Sequence, residues 1–249
     1  MPDASSAEAT GAGAAAFPAP RALELSSRGR ILLAALGFTP LLHAAAVAAP
    51  VAAAAAGRLP WPAAVAAAAA ILYLLPPLAV RLAWLGRLPP PRTGIGSATF
   101  FRWWFSAQWQ VIFGRLPFLE ECLRLVPGLY STWLRLWGAR IGGLVYWSPG
   151  VTILDRQWLR IGKRVVFGAG VRLNAHAIAQ QEDEPSALFL GAVTVGDDAM
   201  IGGYSLLLPG CEVARGERTP PLRTIHPFSR WERGRHATKT RAGLARALR

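Results

Sequence analysis

VTVGDDAMIGGYSLLLPG, residues 193–210, decides the fold. Its apolar residues Val195, Ile201 and Leu207 fall six apart, and Gly196 and Gly202 directly follow two of them. A helix asks for apolar residues every three or four positions, and a half-buried strand for strict alternation. A period of six fits neither and indicates a parallel β-helix built from short strand-plus-turn units. Three units close one triangular coil, with the apolar residue pointing inward. A small residue beside it lets the corner turn, and stacked coils pair their backbones about 4.8 Å apart.

The period continues toward the N-terminus. Ile161, Phe167 and Leu173 form one set, and Ile141, Trp147 and Ile153 another, with bulky Trp147 at an inward position. Two breaks interrupt it. Two extra residues lie between Ile153 and Ile161, and ten extra between Leu173 and Val195. The longer break contains AIAQQEDEPSAL (177–188), polar and acidic, which reads as a loop thrown out of the coil with Glu182, Asp183 and Glu184 at its solvated tip. About four coils fit between 140 and 215, few enough to require capping by other elements or self-association.

The combination VRLNAHAIAQQ…GAVTVGDDAMIGGYSLLLPGCEV resembles the left-handed β-helix acyltransferases of the hexapeptide-repeat family. Those proteins carry apolar-Gly repeats, a His opening an extruded loop, and a closing Pro-Gly, here Pro209-Gly210. The preceding LRLWGARIG is similar to the entry of membrane-associated members. The resemblance covers roughly 138–215. It implies acyl transfer from coenzyme A, no metal, and a homotrimer with sites between subunits. It also implies that His176 is the general base. The donor would lie along the coils, held by backbone groups near Gly202, Gly203, Ser205 and Gly210. Arg215, Arg218 and Arg223 would be available to its phosphates.

The residues themselves support such chemistry. Acyl transfer to a hydroxyl or amine needs a base in the titration range of imidazole. His176 is the histidine of the repeat region, placed where the loop begins. Asp155 lies 21 residues earlier, which is one coil of eighteen, the two extra residues and one more. That spacing sets it in the neighbouring corner of the preceding coil, where it can orient the imidazole. Asn174 can serve instead, or help bind the acceptor. Cys122 and Cys211 read as packed thiols, and two cysteines exclude a disulfide scaffold.

Upstream the character changes. Residues 1–30 read as a disordered tail, rich in Ala, Ser, Gly and Pro. Ile31–Gly57 and Leu59–Val80 carry no formal charge and are separated by Arg58. A bilayer core needs roughly 20 apolar residues, so 31–87 reads as a transmembrane helical hairpin; a soluble Ala-rich hairpin is the competing reading. Arginines at 21, 28, 30, 81, 87, 92 and 102 flank the pair, placing both termini in the cytoplasm of a bacterial inner membrane. Residues 98–138 hold five of the ten Trp, interleaved with Arg, and read as amphipathic interfacial helices. Packing on the next domain is the other reading of those aromatics. With 139–215 as the β-helix, 216–249 remains as a basic tail. Residues 215–249 hold ten basic and two acidic residues of a chain whose net charge is +13. Lipid or coenzyme A phosphate suits that charge better than nucleic acid, for which no motif is present.

The expected fold class is thus α+β: a helical hairpin and amphipathic helices followed by a short left-handed parallel β-helix. The expected activity is transfer of an acetyl or other acyl group from acyl-CoA to a hydroxyl or amine of a glycan, lipid or small-molecule acceptor. A non-catalytic β-helix scaffold of a membrane complex is the alternative.

Overall fold

The computed structural model describes residues 25–179 and 186–237. The architecture is α+β, a helical layer followed by a left-handed parallel β-helix. Three parallel ladders form the faces of the prism. The first stacks Arg140–Ile141, Leu159–Ile161, Val193–Val195, Glu212–Val213 and Arg230–Glu232, closed by antiparallel Arg235–Ala237. The second stacks Tyr146–Trp147, Val166–Phe167, Met200–Ile201 and Arg218–Thr219. The third stacks Thr152–Leu154, Arg172–Asn174, Leu206–Leu207 and Thr224–Ile225.

The residues spaced by six point inward. Ile153, Phe167, Leu173, Ile201, Leu207 and Ile225 are fully buried. Trp147 is only half-buried. Its ring lies flat on Phe167 at 4.7 Å, and its Nε1 donates to Ser131, so it caps the first coil.

The prism runs further than the sequence suggests. Three coils end near Cys211, and a fourth uses residues 212–229. The stretch assigned to a basic tail from 216 is therefore prism up to the closing strand. Val213, Thr219, Ile225 and Trp231 keep the inward period, with Arg218 and Arg230 facing out. The disordered-tail boundary at 30 also moves, because Ser27–Gly37 is helical and capped by the Ser26 hydroxyl.

The helical layer comprises α1 (Ser27–Gly37), α2 (Thr39–Ala55), α3 (Trp61–Trp84), α4 (Ala98–Arg115), α5 (Phe118–Arg124) and α6 (Leu129–Leu136). Ser27–Ala55 and α3 are long and apolar enough to cross a membrane, and 6% and 22% of their most apolar windows are buried. The five Trp of these helices turn inward, whereas Phe118 is exposed. Trp103, Trp133 and Trp137 are buried in one core continuous with the prism interior, and Trp104 and Trp109 pack against it. Buried indoles seek acceptors: Trp133 donates to the Tyr73 carbonyl and Trp104 to that of Leu33, whereas Trp109 and Trp137 have no partner among the described residues.

The long break in the repeat opens as an antiparallel pair, His176–Ala179 with Ala187–Leu190. Arg92–Gly94 adds a third strand to Ala187–Phe189. Glu182, Asp183 and Glu184 lie outside the described residues.

Candidate active site

The two extra residues after Ile153 are taken up in a three-residue 3-10 turn, Arg156–Trp158, entered through Asp155 in the left-handed conformation (φ 61°). Aspartate tolerates that region better than most residues. The turn carries Asp155 to the corner between the third and first faces. One coil on, the ladder pairs Leu154 with Asn174, so the next corner begins at Ala175 and His176. Register alone thus brings Asp155 against His176. Oδ2 of Asp155 lies 2.5 Å from His176 Nδ1.

The carboxylate has a second partner. Trp103 of α4 donates its Nε1–H to Asp155 Oδ1 at 3.0 Å, and its indole lies 4.8 Å from the imidazole, centroid to centroid. The Asp155 side chain is 1% exposed and that of His176 24%. Among the described residues Nε2 has no hydrogen-bond partner, so the imidazole is held at one nitrogen and open at the other. Burial pushes the His176 pKa down; the Asp155 charge and hydrogen bond push it up and prevail, leaving it above 6.5.

Below the dyad, Arg156 turns into the helical layer. Its guanidinium donates to Glu120 from Nε (2.7 Å) and Nη2, and to Gln110 from Nη1 (3.0 Å). Arg156 and Glu120 are 2% and 4% exposed. Glu120 also accepts from Tyr130 and Arg124. Burial raises the Tyr130 hydroxyl well above its ordinary range, so it acts only as a neutral donor to Glu120. A buried pair so thoroughly hydrogen-bonded does not gain much net stability, but it fixes geometry, because breaking it is costly. It fastens the Asp155 turn to α4 and α5.

The other expected site residues are dispersed. Asn174 follows Leu173 on the third face; its Oδ1 is buried without a partner among the described residues. Gly202, Gly203 and Ser205 sit at the corner between the second and third faces, and Gly210 at the dyad's corner. In one chain the fourth coil stacks on Gly202, Ser205 and Gly210. A Cβ on Gly202 would meet the Pro220 backbone, and one on Gly210 the Phe228 ring. The Ser205 hydroxyl accepts from the Arg223 N–H and donates to the Pro220 carbonyl. Small residues are needed there for coil to stack on coil. Gly203 backs onto the Ala169 carbonyl. Arg215 and Arg218 are exposed near the corner between the first and second faces, where Arg215 comes within 3.5 Å of Asp198. One chain does not bring them to His176. Among the described residues no three His, Cys, Asp or Glu cluster as a metal site would require.

No family model matches the chain, and no curated protein does. The solved structures it resembles are hexapeptide-repeat acetyltransferases. One, from Vibrio cholerae O1 biovar eltor and complexed with acetyl coenzyme A, is 15% identical with a TM-score of 0.32, covering 53% of this chain and 88% of that one. A maltose O-acetyltransferase from Clostridium difficile 630 is 14% identical, TM-score 0.29, covering 51% and 84%. A galactoside acetyltransferase in complex with coenzyme A is 12% identical, TM-score 0.30, covering 51% and 81%.

Two parts of this region are not marked in the sequence: Trp103, whose partner lies 52 residues away, and a group of arginines beside the Asp155 turn. The aromatic run signals buried indoles but not which of them meets the carboxylate.

Proposed function

We propose that the protein is a membrane-anchored acyltransferase that moves an acyl group from acyl-CoA to a hydroxyl or amine. The observation that carries this reading is the dyad: a carboxylate-oriented imidazole at the mouth of an extruded loop, with its outer nitrogen free. Nε2 takes the acceptor's proton as the acceptor oxygen or nitrogen attacks the thioester carbonyl. Asp155 accepts the Nδ1–H, fixes the tautomer and stabilises the imidazolium. The tetrahedral intermediate then collapses, the C–S bond breaks, and the imidazolium returns the proton to the leaving thiolate. Arg215 and Arg218 lie apart from His176 within one chain, so we assign any contact they and Gly203 make with the donor to a homotrimer, in which a neighbouring subunit can bring its corner to the dyad.

The anchor reading rests on exposed apolar side chains. Leu41, Leu42, Leu78 and Leu82 are 64%, 67%, 53% and 68% exposed. Leaving such surface in water costs about 25 cal/mol per Å², and lipid removes that cost. Both ends of the hairpin and the prism then lie on the cytoplasmic side, where CoA thioesters are present, and the acceptor is a membrane-confined molecule.

The test is incubation of membranes bearing the protein with labelled acetyl-CoA and longer acyl-CoAs. Label should pass to a membrane component, and His176→Ala should abolish transfer while the protein stays folded and membrane-bound. Full activity in His176→Ala would overturn the base assignment, and no thioester consumption by any donor would point instead to the scaffold.

A further inference from the structure

A cleft of about 330 Å³ opens between the end of α3 and the first coil of the prism. Five arginines line it: Arg81 and Arg87 from the end of α3 and the segment after it, Arg135 from α6, and Arg140 and Arg160 from the first face. No lining residue is Asp or Glu. Arg140 and Arg160 are direct neighbours in the parallel ladder, an arrangement that repels. Further along the same face Arg230 has Glu212 at 3.0 Å. Elsewhere Arg124, Arg156 and Arg164 all have carboxylates. Among the described residues, Arg81, Arg87, Arg140 and Arg160 show no ion pair. Unneutralised cations in one concave wall raise the potential there and concentrate anions.

The wall also holds two donors with nothing to donate to. Gln157 is 8% exposed and Trp137 fully buried; both line the cleft, and Gln157 Nε2 and Trp137 Nε1 have no hydrogen-bond partner among the described residues. Buried donors in native proteins are nearly always satisfied. Guanidinium groups without a single acidic side chain, backed by two buried N–H groups that lack partners among the described residues, make a site for an anion with several oxygens. Phosphate and pyrophosphate match that set, and arginine forks bind them bidentately.

The surroundings indicate where the phosphate comes from. Leu78, Leu82 and Leu85 flank Arg81 on the outer side of α3 and are exposed. They give an acyl or prenyl chain a surface to follow into the apolar hairpin. On the inner side, Gln157 and Trp158 belong to the same turn as Asp155. We propose that the cleft binds the phosphate or pyrophosphate of a lipid, and that this lipid is the acceptor or carries it. The acceptor role rests on the acyltransferase reading; phosphate binding does not.

The experiment titrates the detergent-solubilised full chain by calorimetry with dioctanoyl phosphatidic acid, dioctanoyl phosphatidylcholine and inorganic pyrophosphate. Phosphatidic acid should bind more tightly than either of the others. Arg140→Gln/Arg160→Gln should weaken it about a hundredfold or more, the scale of two charge-assisted hydrogen bonds. Arg233→Gln/Arg235→Gln removes two exposed charges at the far end of the prism and should leave binding within about twofold. Pyrophosphate binding as tightly as phosphatidic acid would assign the cleft to soluble phosphates and overturn the lipid source. No phosphatidic acid binding, or equal loss in both double variants, would overturn the site. His176→Ala should bind phosphatidic acid like the parent, so a failure of catalysis and a failure of the cleft read out separately.

Discussion

Asp155→Asn removes one charge and keeps the side chain's size, and the contacts around Asp155 dictate the outcome. Oδ1 accepts the Trp103 indole N–H at 3.0 Å, and Oδ2 faces His176 Nδ1 at 2.5 Å. An amide has one oxygen, and an indole N–H can only donate. The amide oxygen therefore turns to Trp103 and the amide NH2 to His176. Nδ1 is forced to accept, the ring proton moves to Nε2, and the base is lost. The fall in kcat/KM should be about 10³- to 10⁴-fold, the scale of the same change in a serine-protease triad, or about 4 to 5.5 kcal/mol of barrier. The same geometry predicts a rescue. Trp103→Phe in the Asp155→Asn background removes the donor that held the amide, so its oxygen can turn to Nδ1–H and restore the productive tautomer. One neutral hydrogen bond is worth about 1 kcal/mol, so the double variant should regain about five- to tenfold. Alone, Trp103→Phe should lower kcat/KM, because it strips a donor from a carboxylate that is 1% exposed. The assay is thioester-dependent label transfer by parent, both single variants and the double. A double variant no faster than Asp155→Asn would refute the tautomer argument and reduce Trp103 to packing.

Further outcomes follow from the site and from the prism. The acid limb of kcat/KM should lie above pH 6.5, since Asp155 outweighs burial at His176, and in Asp155→Asn it should drop below 6.5 because burial remains. A raised folded-state pKa gives stability that is full below pH 6.5 and lost as pH rises through the folded value; the urea-measured cost of Asp155→Asn should accordingly shrink toward alkaline pH. Glu120→Gln leaves the buried Arg156 guanidinium without its carboxylate and should cost about 3 to 5 kcal/mol in urea unfolding; an unchanged midpoint would show the pair to be incidental. Truncation after residue 215 removes the fourth coil and exposes Ile201 and Leu207, so the cooperative thermal transition should vanish, whereas truncation after 237 should retain it.

Legibility in the sequence followed the range of each interaction. The prism was readable because each coil repeats one environment: an inward apolar residue at every sixth position needs no knowledge of its partner. The Asp155–His176 spacing was readable for the same reason, since in-register coils convert a sequence offset into adjacency. The prism's end was obscured by composition. Val213, Thr219, Ile225 and Trp231 continue the period, but one of the four is a threonine, Pro220-Pro221 follows it, and arginines crowd the outward positions. The Trp103 contact and the arginine cleft depend on how the helical layer docks on the first coil. The cleft assembles residues from 81 to 160, and no local pattern records such a meeting.

That docking also limits how deep the hairpin can go. Tyr73 donates its hydroxyl to the Leu119 carbonyl and accepts the Trp133 indole at its own carbonyl. From Tyr73 onward α3 therefore lies against α5 and α6. On the other leg, His43 is 2% exposed, bonded to the Ile71 carbonyl and set against the Trp109 ring. What extends beyond these contacts is at most His43–Ala55 and Trp61–Leu72. At about 1.5 Å per residue each leg reaches about 18 to 20 Å, against a hydrocarbon core of about 30 Å. On the anchor reading proposed above, two apolar helices long enough to span would thus be held with their tip inside the bilayer, unless the protein core sinks into the lipid with them. A hairpin that enters and leaves by one face needs no far-side cap, and Arg58 at its tip can reach back or draw in water. The check is Ala56→Cys in sealed vesicles of known orientation: an impermeant thiol reagent added on the face opposite the prism should leave it unlabelled, with Cys122, which is exposed rather than packed, as the internal standard on the near side. Labelling from the opposite face would mean that the tip emerges, and that the Tyr73 and His43 contacts sit within the membrane rather than at its surface.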